Sequence, residues 1–509
     1  MSNAPQRKVV SLTTLMGERE RAKEAGRRVV LCHGVFDVLH IGHLRHLSAA
    51  RLMADVLIVS VTDDAYVGKG PGRPVFSSAL RAEALAALEC VDWVVISPAG
   101  TAIPTIEALR PDTYAKGSEY RDTADPTGGI TRETQAVRMH GGDIAFTEEV
   151  TFSSSALINR YFQTQSTTVE EWLDRLRVEH SVDEVLHYIT SLSKLRVAVL
   201  GEAIVDAYTA CEVLGKSSKS PTLCLSRGPT SRQSGGSLAI AAHCAGLGMS
   251  TTAIPLVGSD TQAKWLRSEA MARGIHWKPI VDTTRPTVTK ERLTDARTGI
   301  SVLEVYDMNG SPLGTPAEDD LTQLLQEFTN AFDILYVADY GHGMLTARAI
   351  SALSDVQSFL ALNVQANAGN RGLNSIDRYS SASFVSLNGA EAAAEARRHR
   401  MEVPDLVPQL ASRLGASTVL VTQGSDGIDI YDSVGGWTAA PAFTSLVKDR
   451  VGAGDAVLAI GAGLAKVDTP PLIIGFICNL VGAWAVSFTG NEQYLNLGVL
   501  CRQTAALLK

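Results

Sequence analysis

The sequence predicts an α/β fold built in two parts, each a mostly parallel sheet flanked by helices. Three observations predict it. A short apolar run at 28–32 passes through a glycine-containing loop into a helical pattern at 44–53 and a second apolar run at 54–61, the signature of a βαβ unit. From 195 onward, apolar runs alternate again with helical patterns, and several of the runs end in polar loops. Finally, Gly452-Ala453-Gly454-Asp455 opens straight into an apolar, alanine-rich helix at 456–465. Ligands of parallel sheets collect at the C-terminal ends of the strands, so the loops after these runs are where function is sought.

Composition sets the outer limits. A chain of 509 residues suggests two to four domains. At 45% hydrophobic and 20% charged residues it is an ordinary globular composition, and a net charge of −8 favours neither nucleic acid nor an anionic membrane as partner. The seven cysteines (32, 90, 211, 224, 244, 478 and 501) have no C-x-x-C spacing, which fits reduced thiols in a cytoplasmic protein. Residues 1–9 lack the apolar core of a signal peptide. The most apolar stretch, 472–486, is interrupted by Gly475, Asn479 and Gly482 and is too short to span a bilayer, so a buried helix is expected there.

Taken in order, 11–27 has the pattern of an amphipathic lead-in helix, followed by the strand 28–32 and the loop from His33 to His43. His40 and His43 stand three apart at a helix start and so project on one face. Two imidazoles there can hydrogen-bond nucleotide phosphates and stabilise charge growing on a pentavalent α-phosphate. Gly42 lets the backbone come close to such a nucleotide.

Residues 28–160 resemble the cytidylyltransferase-like nucleotidyltransferases. The resemblance is carried by Gly34-Val35-Phe36-Asp37 with His40-Ile41-Gly42-His43, by Val61-Thr62-Asp63-Asp64, Gly72-Arg73-Pro74-Val75 and Val91-Asp92. It continues through Leu109-Arg110-Pro111-Asp112, Lys116-Gly117-Ser118-Glu119-Tyr120 and Thr151-Phe152-Ser153-Ser154-Ser155. It implies a Rossmann-like domain in which His40 and His43 bind the triphosphate and Ser153, Ser154 and Ser155 open a helix near the nucleotide. Lys116 would sit near phosphate or base, and Asp37 would position substrate or helix. Gly34, Phe36, Gly42 and Asp63 would line the nucleotide.

Residues 161–193 carry helical patterns at 168–178 and 182–192 without strand signals, and read as a helical connector that also begins the next domain. A new apolar run starts at 195–202, leads to Asp206, and is followed by a polar, lid-like stretch. Gly235-Gly236 precedes another helix. Strand signals at 252–257, 333–338, 383–387 and 418–422 follow, the last two before Asn388-Gly389-Ala390-Glu391 and Gln423-Gly424-Ser425-Asp426-Gly427. At Gly452-Ala453-Gly454, amides at a helix start can dock an anion, and Asp455 beside them can take a proton from an attacking hydroxyl. The plainer reading is a tightly packed helix start that Asp455 caps.

Residues 194–509 resemble the PfkB/ribokinase carbohydrate kinases through Gly201, Asp206, Gly235-Gly236, Asp339-Tyr340-Gly341, Asn388-x-x-Glu391, Val421 to Gly427 and Gly452 to Asp455. That likeness implies a ribokinase-like sheet with a small substrate lid. It makes Asp455 the general base on the sugar hydroxyl, Gly452, Ala453 and Gly454 the anion hole, and Gly424 a phosphate contact. Asp206, Gly235 and Gly236 would hold the sugar, and Asn388 and Glu391 would organise Mg²⁺ through water. Three positions depart from the family pattern: Ala239 for a usual Asn, Asn363-Val364-Gln365 for Asp-Pro-Lys, and His342 for a usual Lys. All three fall on the acceptor side.

Together the halves resemble the bifunctional heptose-phosphate kinase/adenylyltransferases, with the halves in opposite order. The resemblance implies an enzyme of nucleotide-sugar synthesis that uses a sugar or sugar phosphate, ATP and Mg²⁺, with ATP or CTP as nucleotidyl donor. Pairing of two copies through lid strands follows by likeness only. Two alternatives stay open. One half can be a degenerate nucleotide- or sugar-binding regulatory module. Separately, His40-Ile41-Gly42-His43 with Lys216-Ser217-Ser218-Lys219-Ser220 is spelled like the two signatures of class I aminoacyl-tRNA synthetases, although no tRNA-binding region is left over.

Overall fold

The computed structural model describes residues 5–68, 70, 73–118, 129–147, 166–328, 330–366, 369–370, 374–444 and 447–508. The chain divides into two compact units, residues 1–166 with 498–509, and residues 167–497.

In the first unit five parallel strands lie in the order β3-β2-β1-β4-β5. They are β1 (Val29–Gly34), β2 (Val56–Thr62), β3 (Trp93–Ser97), β4 (Thr113–Gly117) and β5 (Asp143–Thr147). Val29 to Cys32 of β1 and all of β2 are buried, because helices cover both faces of the sheet and leave no polar side. The order reverses between β1 and β4, and in sheets of this kind ligands bind outside the strand ends at such a switch point. The lead-in helix forms at Leu12–Glu24, capped by Ser11 Oγ, which accepts from the Thr14 amide.

The bounds of this unit differ from 28–160 at the far end of the chain. The last helix, Leu497–Leu508, joins it from Gly498 onward. Gly68 and Gly70 make room for that helix, since a Cβ at either would lie 3.2 Å from Val499 or 3.5 Å from Leu507.

The second unit starts with the helices Thr167–Glu179 and Val182–Ser191, so the expected connector folds with the body that follows it. Trp172 ties the first of them down by donating to the Ala439 carbonyl at 2.9 Å. The central strand is β6 (Arg196–Lys216). Its first part pairs in parallel with β8 (Ser250–Val257) and β13 (Ile334–Asp339). The sheet continues in parallel through β14 (Phe359–Val364), β15 (Phe384–Asn388) and β16 (Thr418–Thr422), then antiparallel to β17 (Ile428–Asp432) and β18 (Gly436–Ala440). Gly201 permits the close approach of β6 to β13, for a Cβ there would meet the Ala338 carbonyl at 2.3 Å.

Beyond Glu202 the same strand leaves the main sheet and becomes the spine of a second one. There it pairs antiparallel with β7 (Leu223–Gly236) and parallel with β11 (Val288–Asp295), which pairs antiparallel with β12 (Ser301–Asp307). This small sheet contains the polar stretch expected as a lid. The apolar segment 472–486 is a buried helix, Pro471–Ala485, packed with the equally buried helix Ala453–Lys466. Among the described residues no helix is long and apolar enough to cross a membrane.

Candidate active sites

In the second unit, the helix Ala453–Lys466 begins at Gly452, whose φ of +83° suits glycine and whose absent side chain leaves room for Asn491 Oδ1, 2.1 Å from where a Cβ would be. No side chain caps this helix, and the Gly454 and Asp455 amides have no acceptor among the described residues. A Cβ at Gly454 would meet nothing within 4 Å. Free donors, a helix dipole and open space coincide, which is what an oxyanion needs. The plainer reading, in which Asp455 merely caps the helix, does not describe its contacts: the carboxylate instead accepts from the Tyr340 hydroxyl at 3.0 Å.

Asp455 is 8% exposed. Burial pushes its pKa up to about 7, the Tyr340 hydrogen bond opposes this, Asp206 adds to it and Lys290 opposes it. A carboxylate with that pKa is matched to accept a proton near neutrality. Tyr340 belongs to the loop after β13, and Glu202 shapes that loop. Its fully buried carboxylate accepts from the amides of Tyr340, His342 and Met344 at 3.2, 3.1 and 3.2 Å. Burial and the nearby Asp339 raise Glu202 to about 7, against the Met344 and Tyr340 amides and its own backbone.

On the lid side Asp206 is buried and accepts from Arg292 Nη1 at 2.6 Å. Gly235 lies against it, a Cβ there falling 2.0 Å from Asp206 Oδ2, and Gly236 lies against the Glu202 carbonyl at 2.4 Å. Asp206 faces Lys290 directly in the β6–β11 register. Asn388 and Glu391 form a capping box at the start of the helix Gly389–His399, each side chain accepting from the other's amide at 2.9 Å. Glu391 also accepts from the Ala366 amide at 3.3 Å, and burial raises it to about 7. Gly424, at φ +62°, opens the short turn after β16.

Of the departures from the family pattern, Ala239, Asn363, Val364 and His342 are buried and Gln365 is partly exposed. Ala239 sits inside the helix Ser237–Gly246, and Asn363 donates to the Ser386 carbonyl at 2.9 Å. The His342 imidazole has no partner for Nε2 among the described residues, and burial together with Lys290 lowers it to about 4. Lys216 to Ser220 lie around the turn of the lid hairpin, closed by Ser217 N to the Thr222 carbonyl at 2.8 Å.

In the first unit the His40 and His43 rings stack at 3.9 Å at the start of the helix Ile41–Arg51, and His40 Nδ1 accepts from the Gly42 amide at 3.1 Å. The Phe36 ring meets His43 edge-on at 5.2 Å and crowds Gly34, where a Cβ would be 3.1 Å away. Asp37 is turned inward, taking the Val75 and Phe76 amides at 2.7 and 3.1 Å with Arg73 3.6 Å away. Of the two roles implied for Asp37, these contacts are positioning ones. Asp63 caps the turn Asp64–Tyr66 by accepting from the Ala65 amide at 3.1 Å.

Lys116 is buried on β4, 3.5 Å from Glu133. Burial alone would raise Glu133, but Lys116, the Ala102 amide and the Tyr114 hydroxyl outweigh it and lower its pKa. Burial and Lys116 also hold His46 at about 4. Ser153, Ser154 and Ser155, with Gly72, Glu119 and Tyr120, lie outside the described residues.

Sequence reasoning missed Glu202, Lys290, Glu133 and Arg81. Arg81 is buried and donates to the Phe76 and Thr62 carbonyls at 2.8 and 2.9 Å, to the Val35 carbonyl and to Asp64, joining three segments near the C-terminal ends of β1 and β2. For Lys290 a signal existed: Val288, Lys290 and Arg292 alternate, placing both cations on one strand face.

Residues 194–470 match the model of the pfkB family carbohydrate kinases. The chain belongs to this family. Residues 31–160 match the cytidylyltransferase-like model. Curated relatives include the bifunctional proteins HldE of Methylobacillus flagellatus, 39% identical over 161 residues, and of Azotobacter vinelandii, 40% identical over 143 residues. These matches cover 31% and 27% of this chain and 32% and 28% of the relatives, so the chain spans under a third of the relatives' length. Phosphofructokinase-2 from Escherichia coli, in complex with substrates and products, is similar over 62% of this chain and 100% of its own, with TM-score 0.50 and 16% identity. Its complex with fructose-6-phosphate gives 62%, 99%, 0.50 and 15%. At such identity the likeness concerns the fold alone.

Proposed function

We propose that this pfkB-family chain is a bifunctional cytoplasmic enzyme of nucleotide-sugar synthesis. The 194–509 part phosphorylates a sugar or sugar phosphate, heptose-like by analogy with the HldE relatives, at the expense of ATP. The 28–160 part joins a sugar phosphate to a nucleotidyl group from ATP or CTP and releases pyrophosphate. The order of the two parts is the reverse of that expected for the relatives. The observation that carries the kinase reading is Asp455, a buried carboxylate raised to about 7 beside amides without acceptors among the described residues and open space at Gly454.

In the kinase step the acceptor hydroxyl is held by Asp206, itself oriented by Arg292. Asp455 takes its proton as the oxygen attacks the terminal phosphorus of ATP, and the Gly454 and Asp455 amides receive charge on the moving phosphoryl oxygens. Mg²⁺ bound with ATP would neutralise phosphate charge. The side-chain oxygen of Asn388 and both oxygens of Glu391 are already engaged with backbone amides, so these residues suit contact to the ion through water rather than direct ligation.

In the nucleotidyl step, the stacked pair His40 and His43 at the helix start would bind the triphosphate. Lys116, paired with Glu133 at 3.5 Å, would meet phosphate or base. A phosphate oxygen of the sugar phosphate forms the new bond to the α-phosphorus, and the bond to pyrophosphate breaks.

The test is mass spectrometry of products from a pool of sugars and sugar phosphates with ATP and with CTP. A new sugar phosphate and a nucleoside-diphosphate sugar are the expected products. Neither product from any pool would end the bifunctional reading, and only one would leave the other half as a regulatory binding module.

A further inference from the structure

The acceptor pocket of the second unit is crowded with carboxylates. Asp206 stands on β6 and Asp455 at the helix start, Glu202 lies buried under the Tyr340 loop, and Glu391 adds its charge to the field at Asp455. A phosphoryl group arriving there carries more negative charge, so a compensating cation is needed where the transfer occurs. Arg292 is already paired with Asp206 at 2.6 Å. His342, in the loop that holds Tyr340, is held neutral at neutral pH, its pKa lowered to about 4 by burial and Lys290.

Lys290 remains. It stands opposite Asp206 in the β6–β11 register, two positions from Arg292 and on the same strand face, and its ammonium lies 5.6 Å from the centre of the Tyr306 ring. It forms no ion pair among the described residues, and it is not on the surface. Its charge is felt by Asp455 and by His342, and in turn it feels Asp206, Asp455 and Glu202. A partly buried ammonium opposite Asp206 in the strand register, influenced by the charges of Asp455 and Glu202 and in no ion pair among the described residues, is arranged to receive an anion that comes and goes.

We infer that Lys290 is a catalytic residue of the kinase reaction, its ammonium contacting a non-bridging oxygen of the phosphoryl group in flight. It supplies from a lid strand the positive charge that His342 does not provide. The bond between acceptor oxygen and terminal phosphorus forms, the bridging bond to ADP breaks, the hydroxyl proton goes to Asp455, and Lys290 keeps its own proton throughout. This rests on the kinase reading above.

The experiment compares Lys290→Met and Lys290→Arg with the wild-type full chain, following acceptor-dependent ADP formation against pH, with circular dichroism melts as the folding control. The expected result for Lys290→Met is a kcat lower by about 10²–10³-fold with acceptor KM nearly unchanged. Lys290→Arg, which keeps the charge and preserves the fold if Met does not, should recover part of that loss. The acid limb of kcat/KM should also move upward in Lys290→Met, because the groups left facing Asp455 are Asp206, Glu202, Glu391, neutral His342, Tyr340 and the already paired Arg292. A kcat within threefold of wild type, a loss confined to KM, or an unmoved acid limb overturns the inference while the kinase reading stands. A wild-type chain that neither binds ATP nor forms ADP overturns both together.

Discussion

The Tyr340 hydroxyl donates to Asp455 Oδ1 across 3.0 Å, with both side chains buried, so a loop after β13 and a helix start more than a hundred residues later are tied by one buried hydrogen bond. Because the base must be ionised, kcat/KM for ADP formation should rise with pH through about 7. Tyr340→Phe removes a donor that favours the carboxylate and should move this limb up by about one unit. A limb that stays in place in Tyr340→Phe would count against Asp455 as the titrating base.

The same carboxyl has a stability consequence of opposite sense. Folding raises its pKa to about 7, so the folded chain binds the proton more tightly than the unfolded chain. Its stabilising contribution is full below the ordinary carboxylate range and is lost as pH rises through about 7. Asp455→Asn should therefore melt higher than wild type at pH 8 while losing about 10³-fold or more in kinase turnover. Equal melting temperatures at pH 8 would contradict the burial argument.

Two glycines of the kinase pocket should respond differently to a methyl group. Gly454→Ala meets no protein atom within 4 Å and improves helix propensity by up to about 1 kcal/mol, so the melt should hold or rise. Activity should fall at least about tenfold, because the methyl enters space reserved for phosphoryl oxygens. Gly235→Ala would bring a methyl 2.0 Å from Asp206 Oδ2 and should instead raise the acceptor KM. Calorimetry beside steady-state kinetics separates these outcomes.

His43→Ala removes one ring of the 3.9 Å stacked pair and should lower pyrophosphate release by about 10²-fold or more without changing ADP formation. Asp455→Asn should do the reverse. Cross-effects in either direction would show that the two chemistries are not carried by separate sites.

Lys116 and Glu133 form a buried pair at 3.5 Å, with Tyr114 and the Ala102 amide completing the carboxylate's contacts. Glu133→Gln leaves the ammonium short of its counter-charge and should destabilise the first unit by about 3–5 kcal/mol in chemical denaturation. A cost below 1 kcal/mol would mean the pair is not coupled.

Local patterns made most of the scaffold legible. The apolar runs before the loops at His33, Asn388 and Gln423 became parallel strands, and the alanine-rich run after Gly454 became a buried helix, since period and burial are written in consecutive residues. Harder to read was β6. The expected strand at 195–202 continues to Lys216 and serves two sheets, which depends on partners found only after folding. The helix Leu497–Leu508 likewise joins the first unit through contacts with Gly68 and Gly70, remote in sequence.

By itself the sequence determined the candidates proposed to hold phosphate and take protons: the paired histidines, the glycine loop and Asp455. Folding decided their surroundings. Only the tertiary structure brought Glu202 under the Tyr340 loop, placed Lys290 opposite Asp206 and buried Lys116 against Glu133. The reason is physical: a side chain's type is local, but its burial and the charges around it come from strands and helices far away in the chain.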